Sequence, residues 1–319
     1  MGLESINGLS AGQPLIRPSP GTLHLIPVPI GRERGSGSGP RSGPDNGGGP
    51  FTAGDPVAEL SAPLIRLTAG LDYFIAENAR SARAFLKRLP LIRPIQEIEI
   101  CELNEHTSAG EIPAMIAPIL AGRDAGLVSE AGCPAVADPG SQLVAAAHRV
   151  GIPVRPHIGP SALLLTLMAS GLEGQRFAFA GYLPAQADDR ATALQHLEDR
   201  SARGAETQLW IETPYRAQSM ITTALQILRP TTSLAVACDL AGPQQWIGSK
   251  TIGLWRKTPP DLSDRLTVFA LLVDGSINAT GVDRAVHQTR LPSRQTRQNV
   301  SRGAPPHSPA EKNRRRFPP

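Results

Sequence analysis

From its amino end the chain alternates short apolar runs with longer amphipathic stretches, and that alternation predicts an α/β protein. Thr22–Gly31 (TLHLIPVPIG) reads as an opening strand running into a turn, and Leu71–Asn78 (LDYFIAEN) as a second strand. Ala79–Leu89 (ARSARAFLKRL) follows as a helix that carries Arg80, Arg83 and Lys87 at helical spacing. PIQEIEICELNEH predicts a strand that ends in a polar loop, and Gly110–Gly122 a helix. The clearest unit comes next. Ala125–Ser129 (AGLVS) is a short apolar strand, Ser129–Gly140 (SEAGCPAVADPG) a loop, and the helix after it is capped by Asp138 and stopped by Gly151. Ile152–Ile158 is again a strand, so this segment predicts a parallel βαβ unit with a right-handed crossover. Gly159–Ala162 (GPSA) then opens another helix, which ends at Gly171.

The second half predicts strands at Arg176–Pro184, Thr207–Arg216 and Ser233–Leu240, separated by helices. WIGSKTIGLW and Arg265–Gly275 are expected to pair antiparallel. After Asp274 the pattern dissolves. Three segments read as unfolded: residues 1–20, the Gly/Pro-rich insertion Gly35–Pro50, and a tail over 276–319.

Charge changes this picture at one place. The net charge is +4, but residues 283–319 carry nine Lys/Arg against two Asp/Glu, or +7, which leaves −3 for residues 1–282. The basic tail is either a solvated end or a contact for nucleic acid. No run of about 18 apolar residues occurs, so no membrane span is expected. The amino end lacks the pattern of a secretory signal. Cys101, Cys133 and Cys238 are odd in number and far apart, which argues against a disulfide framework or a zinc site. The expected location is the cytoplasm.

In open α/β sheets, ligands bind beyond the carboxyl ends of the strands. Four loops in that position carry small residues (PVPIG, SEAGCPAVADPG, HIGPSA and GYLP), and a fifth, ETPYR, carries charges. Glycine and alanine let backbone amides approach a ligand closely.

Taken in order, LHLIPVPIG, DYFIAENARSARAFL, LNEHT, LVSEAGCPAVADPG, IPVRPHIGPSA, FAFAGYLP and WIETPYR resemble the tetrapyrrole-methylase superfamily of S-adenosylmethionine-dependent methyltransferases. Within it they are most similar to the small-subunit ribosomal RNA 2′-O-methyltransferase I family. The likeness covers roughly residues 22–275 without the insertion. It implies two αβα domains, over 21–160 with a mainly parallel sheet and over 161–275 with a mixed sheet, and a cofactor cleft between them. It also implies a homodimer. By position, it assigns S-adenosylmethionine to Pro29, Ile30 and Gly31, to Glu130, Ala131, Gly132, Cys133, Pro134, Val136 and Asp138, to Gly159, Pro160 and Ser161, to Tyr182 and Leu183, and to Ala237 and Asp239. Departures fall on polar groups. Arg32–Glu33 lead into the insertion where the family continues with Asn-Leu. Asn78-Ala79-Arg80 replaces Asp-Thr-Arg, Glu130 and Cys133 replace Asp and Thr, and Glu-Thr-Pro-Tyr-Arg at 212–216 replaces Glu-Ser-Pro-His-Arg.

Methyl transfer from a sulfonium rests mainly on alignment, but a hydroxyl acceptor must also lose a proton. His106 is the candidate general base, with the alternative that it only bonds neighbouring backbone. Asn78 and Arg80 are assigned to the reacting acceptor, unless Arg80 simply pairs with Glu77. Glu212, Tyr215 and Arg216 are candidates for the acceptor side, or for an internal ion pair and an interface cover. Cys133 reads as a small wall residue, not a nucleophile. The leading reading is 2′-O-methylation of 16S ribosomal RNA. The alternatives are a tetrapyrrole or other small-molecule acceptor, and a non-catalytic cofactor- or RNA-binding protein.

Overall fold

A computed structural model describes residues 19–31 and 56–273. The unfolded amino end, the Gly/Pro-rich insertion with Arg32 and Glu33, and the basic tail are expectations that lie outside these described residues, apart from Ser19 and Pro20.

The first half builds a five-stranded sheet from β1 (Leu23–Leu25), β2 (Tyr73–Ala76), β3 (Glu99–Glu102), β4 (Ala125–Val128) and β5 (Val154–Pro156), in the order β3-β2-β4-β1-β5. Every pairing is parallel. Parallel strands are covered on both faces, which is why β2 is apolar and buried at each position. Alternation divides its side chains. Phe74 and Ala76 join one core cluster with α1 (Ala62–Gly70) and α2 (Ala79–Leu86). Tyr73 and Ile75 join another with α3 (Ile112–Leu120) and α4 (Gly140–Arg149). β4 and β5 are parallel as expected, but β1 lies between them.

The second half contains α5 (Ala162–Ser170), β6 (Phe177–Tyr182), α6 (Ala187–Gly204), β7 (Thr207–Glu212), α7 (Pro214–Ile227), β8 (Ser233–Cys238), β9 (Trp246–Thr251), α8 (Ile252–Trp255) and β10 (Thr267–Leu272). Its mixed sheet runs β6-β7-β10-β8-β9, parallel only between β6 and β7. The last two strands both pair antiparallel in this sheet, as expected, but not with each other. β10 enters between β7 and β8, and β9 pairs with the other side of β8. Burial explains the order. All six residues of β10 are apolar or Thr and all are buried, so it takes the centre, whereas β9 exposes Ser249 and Lys250 and takes an edge. One face of this sheet packs on α6, α7 and α8 around Trp210, Phe269 and Trp255, while the other carries α5 through Leu167.

Among the described residues no helix is long and apolar enough to cross a membrane.

Candidate active site

The loops that leave β1, β4 and β5 are tied to one another. Val28 and Gly132 exchange backbone hydrogen bonds of 2.9 and 2.8 Å, which joins the first loop to Ser129–Gly140. At the tip of the first loop, the N–H groups of Ile30 and Gly31 donate to the two carboxylate oxygens of Glu59, at 3.1 and 3.0 Å. Inside the longer loop, Gly132 adopts φ +76°, and Ala135 and Ala137 adopt φ +65° and +63°. Left-handed backbone is strained for alanine, and the carboxylate of Asp138 holds it. That carboxylate accepts from Ala135 N–H at 2.9 Å and from Gly140 N–H at 2.7 Å. The third loop presses on the first, because a Cβ at Gly159 would sit 2.2 Å from Cβ of Pro27. The Cys133 thiol donates to the Pro160 carbonyl at 3.4 Å.

These loops face the carboxyl ends of β6, β7 and β8 across a cavity of about 210 Å³. Ile30, Ala131, Gly132, Cys133, Val136 and Ser161 line it from the first half, and Tyr182 and Ala237 from the second. The other residues assigned to the cofactor are not among those lining it. Gly31 is held by Glu59, and Pro29 precedes the cavity-lining Ile30 in the same loop. Glu130 is exposed, near enough to Glu77 for its charge to act on that carboxyl. Pro134 and Leu183 are buried, and Asp138, Gly159 and Pro160 brace the loops. Asp239 accepts from Arg265 Nε at 2.8 Å and from Leu266 N–H at 3.2 Å, which locks the turn after β8.

The residues assigned to catalysis lie outside the cavity wall. Asn78 caps α2, its side-chain oxygen accepting from the N–H groups of Arg80 and Ser81 at 2.9 and 3.1 Å. The Arg80 side chain is exposed. His106 is 86% exposed and stands 3.6 Å from Glu105. Glu77, at the carboxyl end of β2, is half-buried. Burial pushes its carboxyl up, and the nearby charges of Glu130 and Asp138 add to that, so it faces other carboxylates and not Arg80.

No protein-family model matches the chain. The ribosomal RNA small subunit methyltransferase I of Xylella fastidiosa (strain Temecula1) is 30% identical over 81% of this chain and 83% of its own. The chain belongs to the ribosomal RNA small subunit methyltransferase I family. The protein of the same name from Escherichia coli O157:H7 is 25% identical over 81% of this chain and 79% of its own. The fold is shared with the methyltransferase CobJ, at a TM-score of 0.50 and 16% identity, over 80% of this chain and 95% of that one.

In this methyltransferase several cavity residues escape a reading of loops alone. Leu266, Thr267 and Val268 line the wall at the start of β10, not at a strand's carboxyl end. Antiparallel pairing puts Thr267 opposite both Glu212 and Cys238, so the amino end of β10 lies with the carboxyl ends of its neighbours. Phe179, Ile211 and Leu240 add apolar wall. The Cys133 thiol is pushed up by burial, which keeps it protonated and unreactive. The Tyr182 hydroxyl is also pushed up, by burial and then by Glu212.

Among the described residues that line the cavity, Glu212 is the one that is charged, and its side chain is fully buried. Its Oε1 accepts from Thr213 N–H at 2.8 Å. Its Oε2 lies 3.0 Å from Arg216 Nη2 yet accepts no hydrogen bond. The distance marks an ion pair, but Arg216 Nη2 donates instead to the Leu183 carbonyl at 2.6 Å, so the contact with Oε2 is Coulombic. Arg216 thereby ties the turn after β6 to the turn after β7, while Tyr215 is 77% exposed on the outside. Arg216→Met should destabilise the fold by about 3–5 kcal/mol, because it strands a buried carboxylate. Adding Glu212→Gln should recover most of that loss, and urea unfolding of the two variants measures both effects.

Proposed function

We propose that this methyltransferase uses S-adenosylmethionine to methylate RNA, with a ribose 2′-hydroxyl of 16S ribosomal RNA as acceptor. The observation that carries this reading is the cavity itself. Small-residue loops from three parallel strands meet the strand ends of a second sheet around a largely apolar space. The residues present fit the cofactor. Ile30, Phe179 and Leu240 offer apolar walls for an aromatic base, and Gly132 and Ala137 bring backbone close at positive φ. Glu212, paired with Arg216, is the carboxylate among the described residues that line this space. When bound, the cofactor supplies an electrophilic methyl group on a sulfonium. The names of the relatives, ribosomal RNA small subunit methyltransferases, support RNA as acceptor.

On this reading the chain's own part is alignment and proton removal. Tyr182, half-exposed at the rim, and Tyr215, outside it, are placed to meet the acceptor. Asn78 and Arg80 present the amino end of α2 to the RNA. His106, exposed on the loop after β3, takes the hydroxyl proton, and Glu105 at 3.6 Å stabilises the imidazolium that results. His106→Ala should lower the rate of transfer by about 10²–10⁴-fold and leave cofactor affinity unchanged. An unchanged rate would remove His106 from the mechanism. The partner in the reading is RNA together with a second copy of the chain. The solvent-facing Leu164 and Met168 of α5 support the homodimer.

The test of the function is calorimetry with S-adenosylmethionine on folded protein, followed by mass spectrometry of ribosomal RNA from cells lacking the gene. Loss of one methyl group is the expected result. No heat of binding would overturn the cofactor, and an unaltered RNA would overturn the acceptor. A small-molecule acceptor is the second reading, favoured by the charge of −3 on residues 1–282, since RNA contact draws on positive faces.

A further inference from the structure

β1 contains a residue that its surroundings do not explain. His24 lies at the middle of a parallel strand, between Leu23 and Leu25, and is only 4% exposed. A buried imidazole needs a hydrogen-bond partner. Its Nδ1 lies 3.0 Å from Nε2 of His157, and the two rings are 5.2 Å apart and tilted by 32°. His157 directly follows β5 and begins the segment that leads through Gly159 and Pro160 to Ser161, which lines the cavity. Its backbone N–H donates to the Leu25 carbonyl at 3.1 Å. The segment is therefore pinned at three points: at His157 on β1, at Gly159 on Pro27, and at Pro160 on Cys133.

We infer that His24 is a positioning residue for the cofactor site: through its bond to His157 it fixes the Gly159–Ser161 turn against the Pro27–Gly31 turn. This rests on the cofactor reading given above.

The chemistry of the bond makes the inference testable. An imidazole–imidazole bond needs a proton on one nitrogen and a lone pair on the other. It survives in the neutral pair and in a singly protonated one, and it is lost when both rings are charged. Among the described residues, Arg155 and Asp124 are the charged groups that act on the pair beside the rings themselves. Arg155 on β5 opposes protonation of both rings, and Asp124, just before β4, favours it at His24. Burial comes first for each ring, and it lowers both from the ordinary value of 6.5. The sign follows from linkage. A histidine with a lowered value takes its proton more readily in an opened form, so the pinned turn is favoured above 6.5 and loses ground as pH falls below it. Cofactor affinity should therefore weaken with acid.

Calorimetry with S-adenosylmethionine and with S-adenosylhomocysteine, from pH 8 to pH 5.5, separates this role from simple packing. For the wild type, affinity is expected to fall as pH drops below 6.5. His24→Phe fills the space without the bond, and should weaken both ligands by about fivefold at pH 8 and flatten the pH dependence. His157→Gln keeps a side-chain amide able to bond Nδ1, and should retain affinity at pH 8 with a smaller acid response, because the proton uptake of His157 is gone while that of His24 remains. It sits at a half-exposed position, so it also serves if His24→Phe does not fold. Wild-type affinity and wild-type pH dependence in a folded His24→Phe, or a loss of affinity at pH 8 in His157→Gln as large as about fivefold, would overturn the inference and leave the cofactor reading standing. A wild type that binds neither ligand at any pH would overturn both.

Discussion

Asp138→Ala is expected to weaken S-adenosylmethionine binding by more than about 100-fold and to destabilise the fold by about 1–3 kcal/mol. The reason lies in the loop Ser129–Gly140. Ala135 and Ala137 hold φ values of +65° and +63°, each of which costs an L-residue roughly 1–2 kcal/mol. The half-buried Asp138 carboxylate offsets that strain by accepting from Ala135 N–H and Gly140 N–H. Without it, two backbone donors lose their partner and the alanines can relax toward negative φ. The wall residues Ala131, Gly132, Cys133 and Val136 belong to the same loop and would move with it. Calorimetry reads the first effect and urea unfolding the second. Asp138→Asn keeps one acceptor oxygen and should fall between wild type and Ala. Wild-type affinity in Asp138→Ala would show that the loop holds its shape without the carboxylate.

Gly159→Ala should be nearly as severe, for a steric reason. The added Cβ would meet Pro27 Cβ at 2.2 Å and Pro27 Cγ at 2.6 Å. Neither is the end of a flexible side chain. The turn would have to lift away, giving up the Cys133–Pro160 contact and moving Ser161 off the cavity wall. An overpacked site of this kind loses about 1–3 kcal/mol of stability. Because the displaced residues line the cavity, cofactor affinity should fall by about tenfold or more. Pro27→Gly removes the ring that the methyl group strikes. The double variant Pro27→Gly/Gly159→Ala should therefore bind better than Gly159→Ala alone, a coupling that a double-mutant cycle measures directly. Independent, additive losses would mean that the two loops do not bear on each other.

Much of the first sheet is legible along the chain. Tyr73–Ala76 is apolar at every position because a parallel strand is covered on both faces. Asn78 announces the start of α2, since a side-chain oxygen there meets the free N–H groups of the first turn. The loop Ser129–Gly140, which lines the cavity, also stands out along the chain through its small residues and its place after an apolar strand. These signals are local, set by neighbours a few residues apart, and they survive without knowledge of the rest of the fold.

The tertiary structure decided what depends on distant partners. Glu59 steadies the tip of the first loop from across the Gly/Pro-rich insertion, and no spacing rule links it to Ile30. His24 looks like an irregularity in an apolar strand until β5 brings His157 beside it. The start of β10 reaches the cavity only because that strand is buried enough to enter antiparallel between β7 and β8. By itself, then, the sequence determined the elements, the parallel first sheet and the loops on which chemistry gathers, because hydrophobic period and capping are short-range. Strand order, the braces behind the loops and the far wall of the cavity were left to the folded chain, because burial and long-range pairing choose among arrangements that the local pattern leaves equal.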